Sequence, residues 1–195
     1  MSMDILSFLA ESFDLPILDW IAENLYCPFL DFLMPIITLF GDAGIFWIAV
    51  AVVLILIPKY RKIGLSMGAA LLIGLLLCNL TLKPLVARMR PYDYKLEYFG
   101  QTIQLLVGAQ SDFSFPSGHT IASFEAAVVL LYYNRKMGIP AMVLACLIAF
   151  SRLYLYVHYP TDVLASVVLG TAIAFLACFL VKKGYSLYET RKKVA

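Results

Sequence analysis

The chain has 195 residues, 62% hydrophobic and only 14% charged, with a mean hydropathy of +0.86 and a formal net charge of +2. A soluble domain carries about a quarter charged residues, so a water-soluble fold is excluded and most of the chain belongs in lipid. The net charge says little by itself, and no nucleic-acid partner is expected. Cys27, Cys78, Cys146 and Cys178 are scattered, three of them inside apolar runs, without metal-ligand spacing. They read as small packing residues. The N-terminus lacks the basic region of a cleaved signal peptide and carries Asp4, Glu11 and Asp14 instead.

Residues 1–40 read as an N-terminal amphipathic segment. Leu6, Leu9, Phe13, Ile17, Trp20, Ile21 and Leu25 recur at helical spacing opposite Asp14, Asp19 and Glu23. The run over 28–40 is apolar but short, and Asp31 and Pro35 interrupt it. A full span needs about 20 residues, so this run is expected to lie at the interface or insert halfway. A turn follows at Gly41-Asp42-Ala43-Gly44. Five stronger spans come next, over about 44–58, 63–82, 117–134, 139–155 and 161–181. The expected fold class is therefore all-α: a polytopic transmembrane helical bundle of about five spans plus the interfacial segment. With no repeats and no linker, the chain is expected to be a single domain over 1–195, its bundle occupying 44–181.

Three basic clusters lie at 58–62, at 134–138, and at Lys182, Lys183, Arg191, Lys192 and Lys193. Five crossings put all three on one side, and short Lys- and Arg-rich loops stay cytoplasmic. The first 58 residues hold no Lys or Arg, which suits an outer location. The opposite side then holds Lys83, Arg88, Arg90, Lys95 and Arg152, with His119 and His158. Residues 92–115 form a long outer connection whose Tyr92, Tyr94, Tyr98, Phe99, Phe113 and Phe115 are expected at the headgroup level, as an anchor or as a lid.

Three stretches on that side carry chemistry. In the first, Lys83 ends the second span and Arg90 follows about two turns on; a guanidinium grips two phosphate oxygens, and a lysine acts as a point charge. In the second, Pro116, Ser117, Gly118 and His119 open the third span. N–H groups at a helix start form an anion site, Ser117 both caps and donates, and His119 is placed to protonate a leaving oxygen. The third runs from Ser151-Arg152 through His158 to Asp162. His158 and Asp162 are four residues apart, close enough for the carboxylate to fix the imidazole tautomer and leave the other ring nitrogen free to attack. Glu125, within the third span, is a further ionisable residue in the membrane; the plainer expectation is an acid bonded within the bundle, with Asn79 as one polar partner.

These three stretches resemble the type-2 phosphatidic acid phosphatase family, membrane lipid phosphatases related to vanadium haloperoxidases. The family pattern of Lys-x6-Arg-Pro, Pro-Ser-Gly-His and Ser-Arg-x5-His-x3-Asp is met by Lys83 to Arg90-Pro91, Pro116 to His119, and Ser151-Arg152 to His158 to Asp162. The resemblance covers about 44–181 and leaves 1–40 outside. It implies His158 as nucleophile forming a phosphohistidine, Asp162 as its orienting group and His119 as general acid. It also implies Lys83, Arg90, Arg152, Ser117 and the Gly118 N–H as phosphate ligands. No metal and no cofactor are implied.

The resemblance to short bacterial members of the family, with the outward site, implies undecaprenyl diphosphate as the favoured substrate, expected to be cleaved at the outer face of a cell membrane. Phosphatidylglycerophosphate, phosphatidate and a lipid A phosphate are the alternatives. Three motif cations, with Arg88 and Lys95 nearby, exceed what a monoester needs. A lipid-phosphate binder or transporter would need the cations but not His158 with Asp162, and hydropathy excludes a soluble haloperoxidase.

Overall fold

A computed structural model describes residues 5–194, with side chains as far as residue 190. Asp4 of the acidic segment and the side chains of Arg191, Lys192 and Lys193 lie outside the described part. Every regular element among the described residues is helical. The order is α1 (Ile5–Leu9), a π turn (Ala10–Asp14), α2 (Leu15–Leu25), α3 (Pro28–Leu39), a 3-10 turn (Asp42–Gly44), α4 (Ile45–Leu56) and α5 (Arg61–Gly74). A π segment (Leu75–Leu82) then leads into α6 (Lys83–Val86), followed by α7 (Pro91–Phe99), α8 (Gly118–Tyr133), α9 (Arg135–Tyr154) and α10 (Pro160–Val194).

Among the described residues, four stretches are long and apolar enough to cross a membrane: Pro28–Leu56, Arg61–Phe99, Arg135–Tyr154 and Pro160–Thr190. The 16-residue α8 runs through their middle, packed on α5, α9 and α10 and buried from Thr120 to Leu130 except at Ala122. Its small residues Ala122, Ser123, Ala126 and Ala127 let neighbouring backbones approach closely, as membrane helix packing requires. Gly138 does the same for the tight α8–α9 turn, where a Cβ would stand 2.1 Å from the Leu131 backbone.

The expected turn at 41–44 is present. Ala43 (φ 49°) and Gly44 (φ 67°) are left-handed and redirect the chain into α4. With 12 residues, α3 alone reaches about 18 Å, and only together with α4 does the stretch attain spanning length. Asp31 near its start accepts from Tyr154 Oη and Thr38 near its end accepts from Arg152, so both ends meet the last turn of α9 and α3 lies across that end of the bundle.

Two local expectations change. The connection after Arg90 is not irregular throughout, since Pro91–Phe99 is helical. Tyr92 and Tyr94 within it are buried, their hydroxyls bonded to the Gln110 carbonyl and to Glu11. The N-terminal segment also departs from a simple amphipathic helix. Asp14 is buried and Asp19 half-buried against the cations of the bundle end, beside Leu15, Leu18 and Ile21, while Glu11 and Glu23 stay exposed and so do Trp20 and Phe13.

The basic loops meet at the other end: Lys62 lies 5.3 Å from the Tyr185 ring and Lys182 lies 4.2 Å from that of Tyr132.

Candidate active site

Four chain segments converge at the α3 end. Ala87, left-handed at φ 48°, ends α6 with its N–H on the Lys83 carbonyl; residues 88–90 are thereby redirected, and Arg88 and Arg90 reach different partners. Ser117 starts α8 as its N-cap, accepting from the Thr120 N–H. Arg152 sits in the last turn of α9, and a five-residue connection presents His158 just before Pro160 opens α10. The 3-10 turn brings Asp42 to the same place.

A cavity of about 540 Å³ joins these parts. Lys83, Arg90, Gly118, His119, Arg152 and His158 line its polar end; Ser117 and Asp162, expected beside them, are fully buried behind it. The Ser117 hydroxyl engages Thr120, and its backbone N–H donates to Ser166 Oγ at 2.8 Å. The π segment widens the helix so that Asn79 and Lys83 both reach the cavity, a common use of π geometry.

His158 is 1% exposed. Its Nδ1 lies 3.6 Å from Asp162 Oδ2, an ion-pair distance beyond hydrogen-bond length. Its Nε2 faces the Arg90 Nη1 donor at 3.4 Å. A ring nitrogen that meets a donor carries the lone pair, which assigns the proton to Nδ1 on the Asp162 side and leaves Nε2 toward the cavity. Burial first, then the charges of Arg90, Arg152 and Lys83, hold the imidazole well below its usual pKa. Asp162 is itself held by Arg88 Nη1 (2.5 Å), Ser114 Oγ (2.5 Å) and the Tyr159 N–H (3.1 Å).

Arg152 donates once, to Thr38 Oγ1 at 2.6 Å; its buried Nε and Nη2 have no partner among the described residues. Arg90 is fully engaged, by the Val157 carbonyl (2.7 Å), the Asp112 carbonyl (2.8 Å) and the Asp112 carboxylate (2.5 Å). That carboxylate also pairs with Lys83. Burial alone would raise the Asp112 carboxyl, but the hydrogen bonds and charges of Lys83 and Arg90 outweigh it and bring it down to about 2. His119 Nε2 meets Asp42 Oδ1 at 2.7 Å.

Asp42, Asp112, Thr38, Ser114 and Asp14 all support the site, and the sequence reading assigned none of them a role there. Asp42 was visible only as part of a turn, and Asp14 only as a polar face. Asp112 reaches back 22 and 29 residues to Arg90 and Lys83, a separation with no periodic signal. The expected surplus of cations also disappears. Arg88 is neutralised by Asp14 (2.7 Å) and Asp162 and lies 3.8 Å over the Tyr159 ring, while Lys95 pairs with Asp19 at 2.7 Å. Neither lines the cavity, so the charge count no longer separates a diphosphate from a monoester.

Fold and site define a helical bundle of membrane-spanning type with a cluster of cations and two imidazoles around a cavity at one end. The chain belongs to the PAP2 superfamily, whose family profile matches residues 59–185. It is 35% identical over 132 residues to an undecaprenyl-diphosphatase of Sulfolobus acidocaldarius, covering 67% of this chain and 61% of that protein. It is 33% identical over 157 residues to phosphatidylglycerophosphatase B of Bacillus subtilis, covering 74% and 66%. The chain thus spans less than two thirds of the length of either relative. Among solved structures it resembles Aquifex aeolicus LpxE (TM-score 0.70, 23% identity, 84% of this chain and 93% of that one). It also resembles the PAP2-type phosphatidylglycerolphosphate phosphatase of Bacillus subtilis (TM-score 0.67, 27% identity, 91% and 92%).

Proposed function

We propose that the chain is an integral membrane lipid phosphatase that works through a phosphohistidine on His158, with undecaprenyl diphosphate as its favoured substrate. One observation carries the reading: His158 and the two unpaired nitrogens of Arg152 share the polar end of a cavity that also opens between lipid-facing helices. Ile48 and Val52 of α4 and Leu72 of α5 line that cavity and are exposed on the bundle surface, so a lipid tail enters sideways while its headgroup reaches the cations.

In this reading the His158 Nε2 lone pair attacks phosphorus while the bond from phosphorus to the leaving oxygen breaks. His119 gives its proton to that oxygen. Nδ1–H stays on the imidazole and faces Asp162. Water then attacks phosphorus, the phosphorus–nitrogen bond breaks, His119 takes the water's proton and orthophosphate leaves. Arg152, Lys83, Arg90 and the Gly118 N–H stabilise charge on the phosphoryl oxygens, the largest contribution in such chemistry. A phosphoryl group reaching Lys83 and Arg90 replaces the Asp112 carboxylate there. Ser117 contributes as the cap that aims the α8 N-terminus. The substrate preference rests on the Sulfolobus relative, the glycerolipid alternative on the Bacillus one.

Phosphate release from undecaprenyl diphosphate, phosphatidate and phosphatidylglycerophosphate, in one detergent with and without a strong chelator, tests this. The diphosphate is expected to give the highest kcat/KM, undiminished by chelation because the cations do the work of a metal. A clear win for a monoester overturns the substrate assignment; loss of activity restored by magnesium overturns metal independence.

The same reading places the site on the outer side of a cell membrane. In a cysteine-free background, Ala109→Cys on the site side is expected to react with an impermeant thiol reagent in intact cells, and Lys136→Cys at the basic end is not. The reverse pattern overturns the orientation.

A further inference from the structure

Glu125 lines the cavity but takes no part in the phosphate cradle. It is 1% exposed, and its Oε1 has no hydrogen-bond partner among the described residues. The same is true of Asn79 Oδ1 on the facing π segment. The two are not bonded within the bundle as expected; both border the same open space.

Their heights differ. The Asn79 amide lies 3.2–3.3 Å from where a Cβ of Gly118 would stand, directly beside the cradle. Glu125 is seven residues further along α8, about 10 Å deeper. Room for its carboxyl comes from Gly74, where a Cβ would stand 2.1 Å from Oε1. A polar side chain at membrane depth is costly unless something bonds it, and such groups face a functional cavity. The bundle supplies no partner to Oε1, so its partner must come from what fills the cavity.

A polyprenyl chain offers only hydrocarbon at this depth. An ester-linked lipid phosphate carries its nearer carbonyl oxygen six bonds from phosphorus, a reach of about 7 Å, between the levels of Asn79 and Glu125. We propose that Glu125 and Asn79 form a hydrogen-bonding subsite for oxygen atoms in the linkage region of the lipid, and that this subsite sets how well ester-linked lipid phosphates compete with polyprenyl ones. The proposal rests on the phosphatase reading above and adds its specificity determinant. The Asn79 amide N–H and the Glu125 carboxyl O–H are the donors offered to an ester carbonyl, while Ile48 and Val52 form the wall along which a polyprenyl chain runs.

Three short lipids separate the possibilities: dioctanoyl phosphatidate, its diether analogue without carbonyls, and farnesyl diphosphate. The wild-type protein is expected to turn over the ester about tenfold better in kcat/KM than the diether, the effect of one buried hydrogen bond. Glu125→Leu is expected to bring ester and diether together and to lower the ester-to-farnesyl ratio about tenfold. Glu125→Gln, which keeps a donor and an acceptor in place, is expected to retain most of the discrimination. Gly74→Ala reads the same contact without changing residue 125, because the new Cβ displaces the carboxyl, and it should reproduce the Leu result. Equal rates on ester and diether in the wild type, or an unchanged ratio in both Glu125→Leu and Gly74→Ala, overturn the subsite; continued release of phosphate from farnesyl diphosphate then leaves the phosphatase reading standing. No release from any of the three overturns that reading and the subsite with it.

Discussion

His158→Ala is expected to reduce lipid-phosphate turnover by more than about 10⁴-fold, the scale on which removal of a nucleophile acts. Arg152, Lys83 and the α8 N-terminus remain in place, so binding of substrate should persist. Brief mixing of wild-type protein with phosphorus-labelled substrate, followed by a quench at neutral or alkaline pH, is expected to leave acid-labile label on His158 and none on the variant. A variant with near-normal activity would sink covalent catalysis at this residue. The pH profile gives a second reading of the same group. Burial and the surrounding cations favour the neutral imidazole, so its lone pair stays available below the ordinary histidine range. Activity should therefore not fall with an ordinary histidine pKa of about 6.5 arising from His158; an acid limb there that survives in the residual activity of His119→Ala would contradict this environment.

The spans were legible because lipid leaves a long apolar signature. The ends of α8 and α9 and the start of α10 fall within a few residues of the boundaries expected from hydropathy and from Ser117 and Pro160, while α10 runs on to Val194, past the expected end near 181. The motif cations and imidazoles were legible because Lys83, Arg90, Arg152, His119 and His158 stand where topology alone would put few charges. Their supports were not. Asp112, Asp42 and Asp14 act across separations of 22 to 147 residues, and a carboxylate near a membrane surface looks the same whether it meets water or a buried arginine. The burial of Asp14 among the N-terminal carboxylates was hidden for the same reason: spacing shows that two faces differ, while the surroundings decide which polar residue is drawn inward. Ser117 illustrates a finer limit. Its position at a helix start was plain, but only packing against Thr120 and Ser166 shows its hydroxyl turned away from the cavity.

Asp14→Ala is expected to damage both stability and catalysis, although Asp14 lies far outside the matched region 59–185. Its carboxylate is fully buried. Oδ2 accepts from Arg88 Nη2 and from Thr161 Oγ1, each at 2.7 Å, and Oδ1 accepts from the Thr161 N–H at 2.9 Å. Arg88 also donates to Asp162, the carboxylate behind His158. Truncating Asp14 therefore strips a buried guanidinium of one of its two counter-charges and leaves an N–H in the first turn of α10 unpaired. Removing one partner of a buried pair costs about 3–5 kcal/mol, which for a chain of this size corresponds to a melting temperature lower by roughly 6–20 °C. The remaining Arg88 charge is free to draw Asp162 out of its place, which should lower kcat more than it raises KM. Glu23→Ala, an exposed carboxylate on the same segment, serves as the comparison and is expected to change neither quantity measurably. Thermal unfolding and kcat/KM of both variants in one detergent decide the matter. An Asp14→Ala protein as stable and as active as the Glu23→Ala protein would show that the N-terminal segment packs beside the catalytic end without holding it.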